Sequence, residues 1–314
     1  MSENIRFLPA SKAKGLTPEQ LAYIGSIGNF LPIVVNDVYI PHYKRPERIQ
    51  ILYGGAGSGK SDWKATELLI KVLTEPYCRV LFVRKDHVTV RHSQFQLFKD
   101  QIARYNLQAY FTVLETPMII RCHNGNVMLS GGLDDVDKLK SIADITDIWL
   151  EEPLDKRGSI TADDFLELDR RVRTTKASNH IHFTFNPISQ DSWINDYFFK
   201  AQDYEPFILK TTYLDNHFSP ESQHLTFERL RVRNYQQYLV YALGEWGTLT
   251  EGLIFKEYTK EWLGMQEAAN YAKVTRATIH NWHKRGLIKA IALFGREKPL
   301  VYSKDDIDKH LRNT

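Results

Sequence analysis

Cysteine is scarce in this sequence of 314 residues, which contains only Cys78 and Cys122. The two have no metal-ligand spacing, so we expect reduced structural residues rather than a zinc site or a disulfide framework. Long apolar runs are also missing. The longest, residues 30–35, contains Pro32 and is far below the roughly 20 residues that a membrane helix needs. The first residues lack the regions of a signal peptide. These absences argue against a membrane protein or a secreted one and predict a cytoplasmic protein.

Positive charge is in slight excess and is unevenly distributed. The net charge is +3, yet residues 259–314 contain eleven Lys or Arg against six Asp or Glu. The rest of the chain is therefore slightly acidic. Such a basic tail is either a solvated surface or a place where a polyanion binds.

Strand and helix patterns alternate over most of the chain. The predicted strands are Arg48–Tyr53, Arg79–Val83, Asp147–Leu150 and His180–Phe185, and the predicted helices are Thr17–Ser26, Lys60–Leu73 and Gln94–Tyr105. Residues 118–129 predict a hairpin, because Asn124-Gly125 is a strong two-residue turn. Strands that alternate with helices predict an α/β fold with a mostly parallel sheet and flanking helices.

A phosphate-binding signature lies between the first of these strands and the helix after it. It consists of Gly54, Gly55, Ala56, Gly57, Ser58, Gly59, Lys60 and Ser61, and it fits G-x-x-x-x-G-K-[ST] at every fixed position. Glycines let backbone N–H groups surround a phosphate, and the helix N-terminus adds positive potential. Lys60 would reach the β- and γ-phosphates of ATP, and the Ser61 hydroxyl would hold Mg²⁺.

Polar side chains end two of the later strands. Glu151 and Glu152 follow the strand at 147–150. In a P-loop ATPase of the ASCE type the first acid would ligate Mg²⁺ and the second would polarise the attacking water, although strands also end in solvated acids. Asn186 follows another strand. Its amide either touches the γ-phosphate or forms a turn before Pro187. The predicted catalytic residues are Lys60, Glu152 and Asn186.

Ring ATPases also need an arginine that stabilises charge in the transition state. The candidates follow the second strand and the acidic strand, and they are Arg84, Arg91, Arg170, Arg171 and Arg173. Most arginines are ordinary surface residues, so the sequence does not choose among them.

Several segments, in their order and spacing, resemble the large subunit of phage terminases, in particular the PBSX-type group. They are residues 53–61, 83–85, 132–141, 145–153, 184–187, 212–216 and 244–247. The resemblance implies that Lys60 and Ser61 bind nucleotide and Mg²⁺, and that Glu151 and Glu152 form the acidic motif. It also implies that Asn186 couples hydrolysis to movement. The implied partners are double-stranded DNA, further copies in a homo-oligomeric ring, a small terminase subunit and a portal, in a bacterial host cell.

Two departures from the family pattern matter. Many terminases have an arginine in the phosphate loop where this chain has Ala56, which favours an arginine from a neighbouring subunit. The family also continues past Gly247 into a metal-dependent nuclease domain. Residues 248–314 are too few for that domain, so we expect no nuclease activity and a separate protein that cuts the DNA.

The tail resembles a MerR-like, excisionase-type winged helix-turn-helix. Its predicted elements are a helix at Met265–Ala272, a helix at Arg276–Lys284, a hairpin at Ile288–Tyr302 and a last helix that begins near Ser303. Thr275 is the expected N-cap of the second helix and Gly286 its expected C-terminal glycine. The predicted DNA contacts are Thr275, Arg276, Thr278, Asn281 and Lys284 on this helix and Arg296 and Lys298 in the hairpin. A helical protein–protein module is the alternative.

Four segments are predicted in all. They are an N-terminal arm at 1–45, a terminase-like ATPase domain at 46–250, a linker at 251–262 and a DNA-binding domain at 263–314. The leading hypothesis is an ATP-hydrolysing DNA-packaging motor subunit without a nuclease domain and with a fused DNA-binding domain. The alternative is a non-enzymatic DNA-binding regulator, or a decoy of a packaging motor, whose P-loop domain only binds nucleotide. DNA-stimulated ATP turnover distinguishes the two.

Overall fold

The chain divides into two compact units, residues 1–247 and residues 248–314. The computed structural model describes residues 5–133, 142–154, 159–201, 204–247, 262–288, 290–292 and 300–312. The division falls within a glycine-rich stretch of the sequence, residues 244–252, where the alternation of strand and helix patterns ends.

The first unit begins with a small parallel strand pair that was not predicted from the sequence. Its elements are β1 (Ile5–Pro9), α1 (Ala10–Ala13), α2 (Pro18–Gly28), β2 (Leu31–Val35) and a 3₁₀ turn at Asp37–His42. The helix predicted near Thr17–Ser26 is present as α2. It begins with a capping box, because the side chains of Thr17 and Gln20 each accept the other's backbone N–H. Phe7 packs edge-on against Trp63, with ring centroids 5.5 Å apart. The N-terminal segment therefore packs on the same core as the main sheet.

Within the described residues, an eight-stranded sheet forms the centre of the first unit. Its strands are β3 (Ile49–Gly54), β4 (Arg79–Arg84), β5 (Phe111–Leu114), β6 (Ile119–Cys122), β7 (Val127–Gly132), β8 (Asp147–Glu151), β9 (His180–Phe185) and β10 (Phe207–Thr211). The spatial order is β10-β3-β9-β8-β4-β7-β6-β5. Neighbours from β10 to β7 are parallel, and β6 and β5 continue the sheet antiparallel. The predicted α/β class with a mostly parallel sheet is confirmed.

Helices cover both faces of this sheet. They are α3 (Lys60–Thr74), α4 (His87–Val90), a π-helical turn (Arg91–Phe95), α5 (Gln96–Arg104), α6 (Ala162–Asp169), a second π-helical turn (Asn195–Lys200), α7 (Glu221–Arg233) and α8 (Tyr235–Tyr241). Side chains of a strand alternate between faces. Trp149 accordingly packs in one apolar core with α3 and α5, whereas Ile148 and Leu150 pack in another with α6.

The predicted hairpin is confirmed, but its turn differs from the prediction. The N–H of Cys122 donates to the carbonyl of Asn126 at 2.9 Å, so three residues form the loop instead of two. Gly125 has φ +96°, a left-handed conformation that glycine adopts without strain. The side chain of Asn124 donates to the carbonyl of Val72 on α3 at 2.9 Å. No local sequence pattern predicts this tertiary hydrogen bond.

A buried polar layer connects α3 to β8 and β9. Asp147 is fully buried, and its carboxylate accepts from Lys71 Nζ at 2.8 Å and lies 2.9 Å from His182 Nε2. Burial alone would raise the pKa of Asp147, but the Lys71 ammonium and the two histidines of β9 hold it well below its ordinary value. The charged layer fixes α3 against the two strands whose ends carry Glu151 and Asn186.

Among its described residues, the second unit is a helix-turn-helix with a three-stranded antiparallel sheet, of which the sequence predicts two strands. Its elements are β11 (Trp262–Gly264), α9 (Met265–Ala272), α10 (Arg276–Lys284), β12 (Ala290–Ala292), β13 (Leu300–Ser303) and α11 (Lys304–Arg312). β13 pairs antiparallel with both β11 and β12, and β11 was not predicted. Ala268, Ile279, Tyr302 and Ile307 belong to its small core. The hairpin tip with Arg296 and Lys298, and most of the predicted linker, lie outside the described residues.

Candidate functional site

Four parallel strands end at the same edge of the sheet, and each leads into a residue or a loop that the sequence singled out. β3 leads into the phosphate loop, β4 ends at Arg84, β8 ends at Glu151, and β9 is followed by Asn186. Because β3, β9, β8 and β4 are adjacent in that order, residues up to 126 positions apart meet here. The carboxyl edge of a parallel sheet is where such folds bind ligands.

The phosphate loop is tightly enclosed by the rest of the first unit. The N–H groups of Gly55 and Ala56 donate to the carbonyls of Thr211 and Tyr241, at 3.0 and 2.7 Å. A Cβ on Gly54 would lie 1.8 Å from the carbonyl oxygen of Thr211, so only glycine fits there. Farther along the loop, in contrast, the backbone N–H groups of residues 57–59 have no acceptor among the described residues. The loop therefore presents free donors to an anion.

Lys60 lies at the centre of the site. It is 5% exposed, and its Nζ donates to the carbonyl of Gly55 at 2.9 Å and to Oδ1 of Asn186 at 2.7 Å. Burial lowers the pKa of Lys60 to about 8, although Glu152 and Glu151 act in the opposite direction. The structure thus brings together the predicted lysine and the predicted asparagine through a direct hydrogen bond.

The two strand-end carboxylates differ in their surroundings. Glu151 is 7% exposed, and burial raises its pKa against the opposing effects of the Arg84 guanidinium, 3.6 Å away, and of the Ser61 and Ser93 hydroxyls. Burial also raises the pKa of Glu152, and Lys60 opposes this shift. Glu152 has φ +49°, a strained conformation for a residue with a Cβ, and strain of this kind is frequent at functional sites.

Unpartnered buried atoms show that the site fits a magnesium-bound phosphate. Glu151 Oε2 and Ser58 Oγ are buried without a hydrogen-bond partner among the described residues. Mg²⁺ prefers oxygen ligands and keeps several waters, which would supply the missing donors to Glu151. The Ser61 hydroxyl lies beside the same carboxylate. Ser61 and Glu151 are the residues that could hold such a metal.

Among the candidate arginines, which all lie in the described part of the chain, only Arg84 is placed at this site. Arg91 donates to the Glu115 side chain at 3.0 Å and to its carbonyl. Arg170 and Arg171 both pair with Glu167, and Arg173 is exposed. These three arginines follow α6, whose last residue, Asp169, accepts from Arg48. Arg48 immediately precedes β3, at the amino ends of the strands. Within one chain, Arg170 and Arg173 are thus at the edge opposite the phosphate loop.

Several residues of the site were not predicted from the sequence. Ser93 approaches Glu151 from the π-helical turn, and Gln94 in the same turn donates to the carbonyl of Trp149 at 3.0 Å. Tyr39 and Asn216 donate to carbonyls of the phosphate loop. Only Asn216 had a signal, as the last residue of the segment 212–216.

A cavity of about 970 Å³ adjoins the phosphate loop on the side of the N-terminal segment. Gly59 and Asp62 line it at the start of α3, and Leu31, Pro32 and Tyr105 give it apolar walls. Its position next to the loop leaves room for a bulky group attached to a bound phosphate chain.

The second unit presents the predicted DNA-contacting residues on α10. Thr275 caps the helix, since its side chain accepts the N–H of Thr278 at 3.2 Å. Arg276 is exposed, and its Nε donates to Gln266 on α9. Asn281 and Lys284 are exposed as well. The helix therefore offers hydroxyl, amide and cationic groups to solvent.

Comparisons with known proteins are consistent with both units. Residues 46–245, well over half of the chain, match the family described as phage terminase large subunit, and residues 262–314 match a helix-turn-helix domain. The PBSX phage terminase large subunit of Bacillus subtilis (strain 168) is 30% identical over 217 residues. That alignment covers 63% of this chain and 49% of the relative, so the chain spans about half the length of the curated protein it matches.

Solved structures show the same fold for the first unit. The large terminase of a thermophilic bacteriophage superposes with a TM-score of 0.55 at 15% identity, covering 73% of this chain and 56% of that one. The ATPase domain of the Thermus phage P74-26 large terminase superposes with a TM-score of 0.50 at 10% identity, covering 72% and 96%. No helix in the described parts of the chain is long and apolar enough to cross a membrane.

Proposed function

Because the chain belongs to the phage terminase large subunit family, we propose that it hydrolyses ATP to drive double-stranded DNA into a capsid. The observation that carries the proposal is the meeting of Lys60, Glu151 and Asn186 at the mouth of the phosphate loop. A large terminase of similar fold, from a thermophilic bacteriophage, has been solved in complex with ADP, which supports a nucleotide as the ligand. The cytoplasm of the bacterial host would be the place of action.

Each residue of the site has a role in this proposal. The free N–H groups of the loop and Lys60 would bind the β- and γ-phosphates, and the adenosine would extend into the adjoining cavity. Ser61 and Glu151 would hold Mg²⁺, whose charge stabilises the phosphates when it is bound. Glu152 would orient and polarise the attacking water. Asn186, which contacts Lys60, would register the loss of the γ-phosphate.

The remaining elements extend the proposal to partners. Arg84 or an arginine from a neighbouring copy would stabilise the transition state, in a homo-oligomeric ring. The second unit would bind duplex DNA through α10. A small terminase subunit and a portal are the other partners we propose, from the family alone.

The test is ATP turnover by the purified chain with and without duplex DNA. We expect Mg²⁺-dependent phosphate release that DNA accelerates. Binding of ADP without any turnover, in the presence or absence of DNA, would overturn the motor assignment and leave a nucleotide-binding regulator.

We further expect the affinity for ADP to fall as the pH rises above about 8. The buried Lys60 has a pKa of about 8 in the free chain, and the charge of a bound phosphate raises it. Above that pH, binding must therefore take up a proton, and affinity should decrease by up to about tenfold per pH unit. Below that pH, Lys60 is already protonated and contributes no slope. Titration calorimetry between about pH 7 and 9 measures the effect. Lys60→Arg, which stays charged, should flatten the profile, and an unchanged affinity in the unsubstituted chain would contradict the assignment.

A further inference from the structure

Two carbonyl groups at the back of the phosphate loop are held by side chains from distant segments. The carbonyl of Gly57 accepts from Asn216 Nδ2 at 2.7 Å. The carbonyl of Ser58 accepts from the hydroxyl of Tyr39 at 3.0 Å. Asn216 follows β10, and Tyr39 lies in the 3₁₀ turn after β2. Neither segment belongs to the phosphate-binding motif.

The planarity of the peptide bond gives these contacts a consequence for the loop's donors. In a trans peptide the C=O of one residue and the N–H of the next point in opposite directions. A bond to the carbonyl of Gly57 therefore sets the direction of the Ser58 N–H, and a bond to the carbonyl of Ser58 sets that of the Gly59 N–H. Both N–H groups lack an acceptor among the described residues. They are the donors that a phosphate would use.

Glycine makes this restraint necessary. Gly57 and Gly59 have φ of +72° and +86°. Glycine adopts these angles without strain, but it also adopts many other angles at little cost. Peptide units flanked by such residues can rotate unless another group holds them. Free rotation would turn the N–H groups away from a bound anion. The affinity of the loop for the anion would then fall in proportion to the fraction of molecules whose N–H groups still point towards it.

The two donors are themselves fixed. Tyr39 is fully buried, its ring stacks on Trp63 at 5.6 Å, and its hydroxyl also lies 3.1 Å from Oγ1 of Thr211. Asn216 Oδ1 accepts from Asn36 Nδ2 and from the N–H of Phe218, each at 3.0 Å. The amide of Asn216 therefore has one orientation, with Nδ2 towards the loop.

We propose that Tyr39 and Asn216 are positioning residues that hold the Ser58 and Gly59 N–H groups in the direction of a bound β-phosphate. The inference rests on the proposed function of the loop as a nucleotide site. It assigns a role to the segment 212–216 and to the N-terminal segment. It also separates this role from catalysis, since both side chains donate to backbone carbonyls of the loop.

The test compares Tyr39→Phe, which removes one hydroxyl and keeps the ring, with Tyr77→Phe. The Tyr77 hydroxyl also donates to a backbone carbonyl, that of Asp144, but close to the amino end of β8. We expect Tyr39→Phe to weaken ADP and ATP binding by about threefold to tenfold, the contribution of one hydrogen bond, and to leave AMP binding unchanged because AMP has no β-phosphate. Tyr77→Phe should change none of the three. The KM for ATP of Tyr39→Phe should rise by the same factor, whereas the KM and kcat of Tyr77→Phe should stay at the values of the unsubstituted chain.

Several outcomes decide the matter. Equal ADP affinities for the two variants, or a loss that AMP shares, would overturn the inference alone. Failure of the unsubstituted chain to bind ADP would overturn the proposed function and this inference with it. If Tyr39→Phe does not give a folded protein by thermal unfolding, Asn216→Ala replaces it. Because Asn216 also lines the adjoining cavity, the measured quantity is then the ratio of ADP affinity to AMP affinity, which should fall by about threefold to tenfold.

Discussion

Replacing Glu152 by glutamine is expected to leave ATP binding intact and to slow hydrolysis by roughly 10²–10⁴-fold, the usual contribution of a positioned base. Glu152 directly follows Glu151, the last residue of β8. Burial raises the pKa of Glu152, and the Lys60 ammonium opposes this shift. The glutamine keeps the shape of the side chain but cannot accept the proton of the attacking water. Phosphate release under single-turnover conditions measures the loss.

Two controls define this result. Glu115→Gln changes an exposed carboxylate that pairs with Arg91 and Lys99, and should hydrolyse ATP normally. Lys60→Ala should instead weaken triphosphate binding itself, because it removes the buried cation of the loop. Normal turnover by Glu152→Gln would show that another group orients the water, and both acidic assignments would then need revision.

The second unit, made as residues 248–314, is expected to bind duplex DNA with a steep dependence on salt. Each neutralised phosphate contributes about −0.9 to the slope of log K against log salt. If Arg276, Lys284, Arg296 and Lys298 each contact one phosphate, affinity should fall by a factor on the order of 10² between about 50 and 200 mM salt. Fluorescence anisotropy with a labelled duplex at several salt concentrations measures this slope.

Substitutions on two helices of the unit test where the DNA lies. Arg276→Ala, on the exposed face of α10, should weaken binding and make the slope of log K against log salt less negative by about 0.9, the contribution of one phosphate contact. Lys309→Ala removes the same charge from α11 and should have a smaller effect. A flat salt response, or no binding at low salt, would indicate that the helix-turn-helix recognises a protein instead of DNA.

Most of the parallel sheet could be predicted because its strands are buried and apolar. β3, β4, β8 and β9 each combine such a run with a polar residue at or beyond the carboxyl end, and both features are visible in the sequence. The phosphate loop was recognisable because its glycine spacing reflects steric needs of the loop itself. β1, β2, β5 and β10 were missed because most of their residues are only partly buried, and β11 was missed because it has only three residues.

The sequence by itself determined the four central strands, the helix after the phosphate loop and the residue types of the site, because these depend on neighbours along the chain. Backbone conformation, capping at Thr17 and Thr275, and the phosphate-binding signature are local properties of this kind. The tertiary structure alone decided which distant groups meet. The bond between Asn36 and Asn216 joins residues 180 positions apart, and Lys60 reaches Asn186 across 126. Contacts of this range follow from strand order and helix packing, which no local pattern encodes. For the same reason only the folded chain separates Arg84, beside Glu151, from Arg91 and Arg170, which pair with other acids.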